Sequence, residues 1–548
     1  MPLMRRRLLL LLSLSTCLSV APATSQTAPP LPKLVLVLSI DQMRYDYLTR
    51  FEPLYTGGLR TLLDRGAVFT DAKYRHSANE TGPGHSVILT GRHPSHSGIV
   101  ANDWFDATLG RAVNVVDDAR HRPLGGAGRA ASPAHLGVDT IGDLLKIKNP
   151  QSRVVGVSLK DRSAILMGGR RADAAYWYET NGGNFITSTY YMAATPGWLT
   201  DWNGRRMADR YAGHTWNRLL PDAEAYGRYA GQDAIEGEWD RKDTSFPHAI
   251  RGRPPEVRFY DDLRRTPFAD ELTLAFALEA MQAHHIGVDE VTDLFAIGFS
   301  STDIVGHTYG PDSHETMDQL LRLDAALGRL FKAIDANVGI ANTLMVLTSD
   351  HGSLPLVENL LVKGMDARRA SPLALRGAVE QAFATRFPGV TNLIQYFSSP
   401  DFFLNDRAMQ RNNLSRRSVE ETASAALLTT GLVAQVYTHE DLRRTGPSPD
   451  PYLQLFQNSF YEPRSPHLNV LLKPWVYVST LPGGTGHGTA YDHDRHVPIA
   501  FMGPRIRAGR YATPAGPEDI APTLGTILGL DLQPEEDARI LLEMLRAN

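Results

Sequence analysis

Four short apolar runs, each ending in charged or hydroxyl side chains, constrain the fold of this chain more than any other feature. Leu34-Val35-Leu36-Val37-Leu38-Ser39-Ile40 is continuous, partly β-branched and followed at once by Asp41. Runs of this kind fill parallel strands buried on both faces. Residues 293–299 repeat the arrangement before Ser300-Ser301-Thr302-Asp303, and residues 343–349 repeat it before Asp350-His351. A fourth run, Val154-Val155-Gly156-Val157-Ser158, delivers Leu159-Lys160-Asp161-Arg162 in the same way. Between the runs, residues 268–284 and 316–334 carry helical periodicity, with Met317, Leu320, Leu321, Leu327, Leu330, Phe331 and Ile334 on one apolar face. The expected fold class is α/β, a mostly parallel central sheet flanked by helices. Open sheets of that class place ligands at the C-terminal ends of their strands.

The chain has 548 residues, 43% of them hydrophobic, enough for one large core with insertions. Residues 24–548 read as a single domain, with insertions near 104–134, 177–264 and 357–475, where Gly, aromatic and charged residues gather with little periodicity. The third insertion has a helical stretch at 418–428 and a strand-like one at 432–437. The sheet resumes at 496–501, and a last helix spans 519–528 with Gly529 as its C-cap.

Arg5-Arg6-Arg7, an apolar run from Leu8 to Val20 and the small residues Ala21-Pro22-Ala23 read as a secretory signal peptide over residues 1–23. A periplasmic or secreted protein follows. The apolar run is shorter than the ~20 residues that span a bilayer, so no membrane anchor is expected. The one cysteine, Cys17, lies in this leader, leaving the mature chain without disulfides; Thr16 argues against lipidation there. The formal net charge is −4 and becomes more negative without the leader arginines, a balance that gives no support for nucleic-acid binding, which favours a basic face.

Asn79-Glu80-Thr81-Gly82-Pro83-Gly84-His85 stands between Asp41 and the later Asp and His residues. Residues 84–91 read as a helix beginning just after the Gly and Pro turn. Thr81 then sits at or near a helix N-terminus, where free N–H groups and the dipole favour an anion; taken alone it reads as an N-cap. Asp303 and His307 are four apart, Asp350 and His351 are adjacent, and His487 lies in Gly483-Gly484-Thr485-Gly486-His487-Gly488-Thr489, whose glycines let backbone approach an ion. Each is ordinary alone. Together with Asp41 and Thr81 at one expected sheet edge, carboxylates and imidazoles without cysteine suit zinc in an open, catalytic site. Six protein ligands plus Thr81 divide into two sites. His493 and His496 compete with His487, which is preferred because glycines flank it.

The motifs Ser39-Ile40-Asp41-Gln42-Met43, Asn79-Glu80-Thr81-Gly82-Pro83-Gly84-His85-Ser86, Ile99-Val100-Ala101-Asn102-Asp103-Trp104-Phe105-Asp106, Lys160-Asp161-Arg162, Thr302-Asp303-Ile304-Val305-Gly306-His307, Ser349-Asp350-His351-Gly352 and His487-Gly488-Thr489, in this order, resemble the alkaline phosphatase superfamily. The likeness is to its bacterial PhoK/PafA-type enzymes with a threonine nucleophile, and it spans nearly the whole mature chain. It implies an alkaline-phosphatase-like three-layer sandwich with cap insertions. It implies two zinc ions, one held by Asp41, Thr81, Asp350 and His351, the other by Asp303, His307 and His487. Thr81 would attack phosphorus to give a phosphothreonine, and Asn102, Lys160 and Arg162 would bind the phosphoryl oxygens. A lysine point charge and a planar arginine fork suit a dianion with three nonbridging oxygens. In this family those three groups mark phosphomonoesterases, whereas related diesterases offer an apolar pocket for the second ester group. Gly82 stands where some relatives carry a slightly larger residue. The C/S-x-P-x-R motif of sulfatases is absent, since Gly84-His85 follows Pro83. Structural calcium ions are a further expectation, at no located site.

The expected partners are small phosphate monoesters. A phosphodiesterase or nucleotide pyrophosphatase of the same superfamily is the alternative, and a noncatalytic, exported metal-binding protein a more distant one. No pattern sets the oligomeric state, for which a monomer suffices.

Overall fold

The computed structural model describes residues 30–239 and 241–546; the expected leader, with Cys17, lies outside them. The four apolar runs become strands of one ten-stranded sheet. Its strands are β1 (Leu34–Ile40), β2 (Ala67–Phe69), β3 (Pro123–Leu124), β4 (Val154–Ser158), β5 (Ala174–Glu179), β6 (Asn184–Ser188), β7 (Asp293–Phe299), β8 (Thr343–Thr348), β9 (Ile499–Met502) and β10 (Gly509–Tyr511). They lie in the order β10-β2-β9-β8-β1-β7-β4-β5-β6-β3. The central strands β8, β1, β7, β4 and β5 are mutually parallel, while β9 and β6 run antiparallel to their neighbours. Ile40 pairs with Phe299, Ser39 with Thr348, and Gly298 with Ser158. This register ends β1, β4, β7 and β8 on one line, so Asp41, Lys160, Asp303 and Asp350 all leave the sheet at the same edge.

Every residue of those four strands is buried, and alternate side chains point to opposite faces. The helices that cover the faces or shape the edge are α1 (Thr81–Thr90), α2 (Asp161–Gly168), α3 (Phe268–Ala283), α4 (Ser301–Tyr309), α5 (His314–Asn337) and α6 (Ile520–Leu528). Leu36, Leu38, Phe295, Ile297 and Met345 pack on one face with Phe276 of α3 and Leu327 and Leu330 of α5. Val35, Val37, Leu294, Ala296 and Val346 pack on the other with Ile88 and Leu89 of α1 and Leu524 of α6. The result is three layers. Each fully buried aliphatic side chain contributes about 1.5–3 kcal/mol relative to exposure, so this two-sided core anchors the strand ends.

The expected helices at 268–284, 316–334 and 519–528 are α3, α5 and α6, and Gly529 takes a left-handed φ of 63° after α6. The excursion expected from 177 starts only after Ser188. Trp177 and Tyr178, whose aromatic character suggested a cap, belong to β5 with Tyr176; Tyr176 packs edge-on to Phe276 and Tyr178 to Phe185. The 104–134 stretch carries β3 and shares a hairpin of Asp103–Asp106 with Arg111–Asn114. The 357–475 stretch builds a second sheet in the order Ile394–Ser398, Asp401–Leu404, Leu468–Leu472, Val433–Thr438. That sheet has its own core, in which Phe402 and Leu468 meet Leu375 and Val379 of one helix and Val419 and Leu427 of another. Among the described residues no helix is long and apolar enough to cross a membrane.

Asp401 opens the second strand of this smaller sheet. Burial pushes its carboxyl up to about 7, with Glu80 adding repulsion, although the Val470 N–H donates to it at 2.7 Å. The folded protein therefore holds a proton that the unfolded chain releases above about pH 4. Stability from this group is complete at low pH and is lost as pH rises through about 7. Asp401→Asn keeps the acceptor oxygen and removes the loss. Its Tm should exceed the parent's by about 2 °C at pH 9, with the gap narrowing as pH falls below 7 and closing below about pH 4, as followed by calorimetry across pH.

Candidate active site and metal centres

Thr81 is the first residue of α1. Glu80 occupies the N-cap position and no side chain caps the helix, so the Thr81 hydroxyl is not spent on backbone N–H groups. The helix starts three residues earlier than the sequence suggested, with Gly82, Pro83 and Gly84 in its first turn. Pro is tolerated there because first-turn N–H groups lack helical acceptors. Gly84 is required by contact: a Cβ at this position would lie 2.1 Å from the Asp350 carbonyl oxygen. Its absence lets α1 close onto the end of β8.

Lys160 Nζ and Arg162 Nη2, at the start of α2, each lie 3.4 Å from Thr81 Oγ1. Asn102 is fixed on the same helix start. Its Oδ1 accepts the Gly82 N–H at 2.7 Å, and its own N–H donates to Glu80 Oε2 at 2.7 Å. With Oδ1 committed, the amide NH2 is the end left to donate.

Two triads have ligand-type atoms within 4.8 Å of one another, Asp41 with Asp350 and His351, and Asp303 with His307 and His487. The three imidazoles are oriented alike. Nδ1 of His307, His351 and His487 lies 2.7, 2.9 and 2.8 Å from the carbonyl oxygens of Thr485, Gly352 and Asn79. A carbonyl only accepts, so each Nδ1 carries a proton and each Nε2 is the nitrogen turned toward its triad, as in metal-ligating histidines. Asp41 Oδ1 and His351 Nε2 are buried without a hydrogen-bond partner. Buried polar atoms of this kind are costly unless something coordinates them, so the residues fit a metal ion.

Lys160 joins the triads, with Nζ 2.7 Å from Asp41 Oδ2 and 2.6 Å from Asp303 Oδ2. Burial, then repulsion from Asp350, raises the Asp41 carboxyl well above its ordinary range. Burial opposes ionisation of Asp350, but His351 and His85 outweigh it and hold this carboxyl low. Burial likewise opposes the Lys160 charge, and Asp303 and Asp41 outweigh it, raising that group.

The edge thus brings together Asp41, Thr81, Asn102, Lys160, Arg162, Asp303, His307, Asp350, His351 and His487. His496 and His493 join neither triad: His496 Nε2 meets the Thr70 carbonyl at 3.1 Å and stacks on Tyr45, and His493 Nε2 faces Thr489 Oγ1 at 3.2 Å. Gly484, at φ 77°, presses against the His307 carbonyl, which accepts the Thr485 N–H at 3.1 Å. Its freedom locks the glycine loop onto α4. Three buried residues carry geometry that their sequence context did not signal. The Gln42 N–H donates to Asp350, His85 Nδ1 lies 3.1 Å from Asp350 Oδ2, and Ser349 Oγ accepts the Met43 N–H at 2.8 Å. Beside the site, Glu80, Trp104, Asp401, Phe403, Tyr477 and His487 line a cleft of about 170 Å³.

Residues 35–491 match the family described as type I phosphodiesterase / nucleotide pyrophosphatase. The chain belongs to this family. As a type I phosphodiesterase / nucleotide pyrophosphatase family member it is a hydrolase of the alkaline phosphatase superfamily. It is 31% identical over 519 residues to alkaline phosphatase PafA of Elizabethkingia meningoseptica, covering 92% of this chain and 93% of that protein. To alkaline phosphatase PhoK of a Sphingomonas species it is 34% identical over 541 residues, covering 95% and 92%. The crystal structure of wild-type PafA superposes with a TM-score of 0.88 at 31% identity, over 95% of this chain and all of that one. The family member's three layers are therefore the alkaline-phosphatase-like α/β fold.

Proposed function

We propose that the protein is an exported, zinc-dependent alkaline phosphatase that hydrolyses phosphate monoesters through a phosphothreonine at Thr81, and that residues 24–548 act as one catalytic domain. The observation that carries this reading is the placement of Lys160 and Arg162, each 3.4 Å from Thr81 Oγ1 and beside the two triads. The names of PafA and PhoK as alkaline phosphatases support it, and the leader-like residues 1–23 support export.

Two zinc ions, held by Asp41, Thr81, Asp350 and His351 and by Asp303, His307 and His487, would supply Lewis acidity that eases ionisation of the nucleophile and steadies both oxygens of an in-line displacement. Thr81 Oγ1 forms a bond to phosphorus as the bond to the leaving alcohol breaks, and water then cleaves the phosphothreonine and regenerates the hydroxyl. Lys160 and Arg162 pair with nonbridging oxygens, and the Asn102 NH2, oriented by Gly82, donates to another. These donors are fixed before reaction and gain strength as charge develops in a buried setting. The cleft beside Glu80 and His487 receives the leaving alcohol. A diester has one charged oxygen fewer, so it uses the Lys160 and Arg162 pair less fully.

The family's description favours a second reading, a phosphodiesterase or nucleotide pyrophosphatase. Rates on p-nitrophenyl phosphate and bis(p-nitrophenyl) phosphate separate the two. The monoester should turn over faster, stop on chelation and recover with zinc; a faster diester would instead establish the second reading. Thr81→Ala should lose at least about 10³-fold in kcat while still binding two zinc ions through the remaining Asp and His residues, and Thr81→Ser should keep part of the activity. Parental turnover in Thr81→Ala rules out the nucleophile role. Lys160→Ala and Arg162→Ala should each lower monoester kcat/KM by about 10²–10³-fold and diester kcat/KM far less. Equal losses on both substrates count against the proposed recognition.

A further inference from the structure

Gln42 follows Asp41 directly and holds φ at 64°, a left-handed conformation that side chains other than glycine seldom adopt. The strained backbone has a geometric result. It turns the Gln42 N–H toward Asp350 Oδ1 at 3.1 Å and sends the side chain across to Asp303, where Nε2 donates to Oδ1 at 2.9 Å. One residue therefore hydrogen-bonds a carboxylate of each triad. Gln42 is 1% exposed, so water does not compete for either bond. The Asp303 oxygen it holds is the one facing the imidazoles, with His307 Nε2 at 3.1 Å and His487 Nε2 at 3.7 Å. The other Asp303 oxygen turns to Lys160. Gly306, between the ligand positions of α4, makes the crossing possible, because a Cβ there would lie 2.0 Å from Gln42 Oε1.

Strained residues persist where their surroundings overdetermine them, and they concentrate at functional sites. Groups that hydrogen-bond ligating carboxylates tune a metal site as its ligands do. We propose that Gln42 is a positioning residue that couples the two metal sites. An ion in one triad fixes Asp350 or Asp303, the Gln42 backbone and side chain are ordered with it, and the carboxylate of the other triad is preset for its own ion. Such coupling is reciprocal and of the order of 5–150-fold in affinity. The inference rests on the two-metal reading above.

The test is a zinc titration of the metal-free enzyme by calorimetry, repeated with cobalt(II) followed by its visible absorption. The parent should take up two ions in one cooperative transition. Gln42→Met keeps the backbone N–H and the chain length but has no donor for Asp303. It should bind in two separate steps, with one site weakened about 10–100-fold. Gln42→Gly adopts the left-handed φ without strain and should separate the steps likewise, which guards against a folding defect in the methionine variant. Two ions bound with undiminished cooperativity in both variants overturn the coupling and leave the two-metal reading standing. Fewer than two ions bound by the parent overturns that reading and the coupling with it.

Discussion

Three carboxylates, Asp41, Asp303 and Asp350, converge at one buried edge, and the rest of the site is arranged around their mutual repulsion. Two unit charges 4 Å apart interact by about 1 kcal/mol in water and about 4 kcal/mol at the effective dielectric of partly buried groups. Backbone alone does not answer such crowding; positive charge does. The Lys160 ammonium between Asp41 and Asp303 and the zinc ions proposed for the triads supply it. The parallel strands make the crowding possible, because apolar packing on both sheet faces contributes enough to hold four chain ends in register against it.

The central architecture was legible because a doubly buried parallel strand leaves an unmistakable run of apolar residues, and its polar successor marks the edge. The members of the two triads could be singled out for the same reason: each follows a strand or lies in a glycine loop. Elsewhere the signals were weaker. Residues 177–188 look like cap sequence because Trp177 and Tyr178 have partners in the core that no local pattern reveals. The start of α1 was misplaced because Pro83 suggests a turn, whereas the first turn of a helix accepts it. Gln42 and His85 were in view as neighbours of Asp41 and Thr81, yet their partners lie hundreds of residues away, and neither has a spacing that names a ligand.

The histidines show how chemistry at the edge depends on loops. Each triad imidazole is held by a backbone carbonyl, from Asn79 before α1, Gly352 after β8 and Thr485 in the glycine loop. Three separate connections thus determine which nitrogen is presented. A family whose description covers diesterases and whose relatives include alkaline phosphatases can keep this frame while changing the groups around the phosphoryl oxygens.

The second sheet is inserted between β8 and β9, and the chain returns from it through the loop that carries His487. One triad has all its members by residue 351, while the other lacks its third until residue 487. During synthesis the two sites therefore mature at different times, and the later one exists only once the whole excursion has been made and threaded back to the sheet. A chain stalled within that excursion has Asp303 and His307 but not His487, so completion of this triad reports that the polypeptide has been built through the whole excursion.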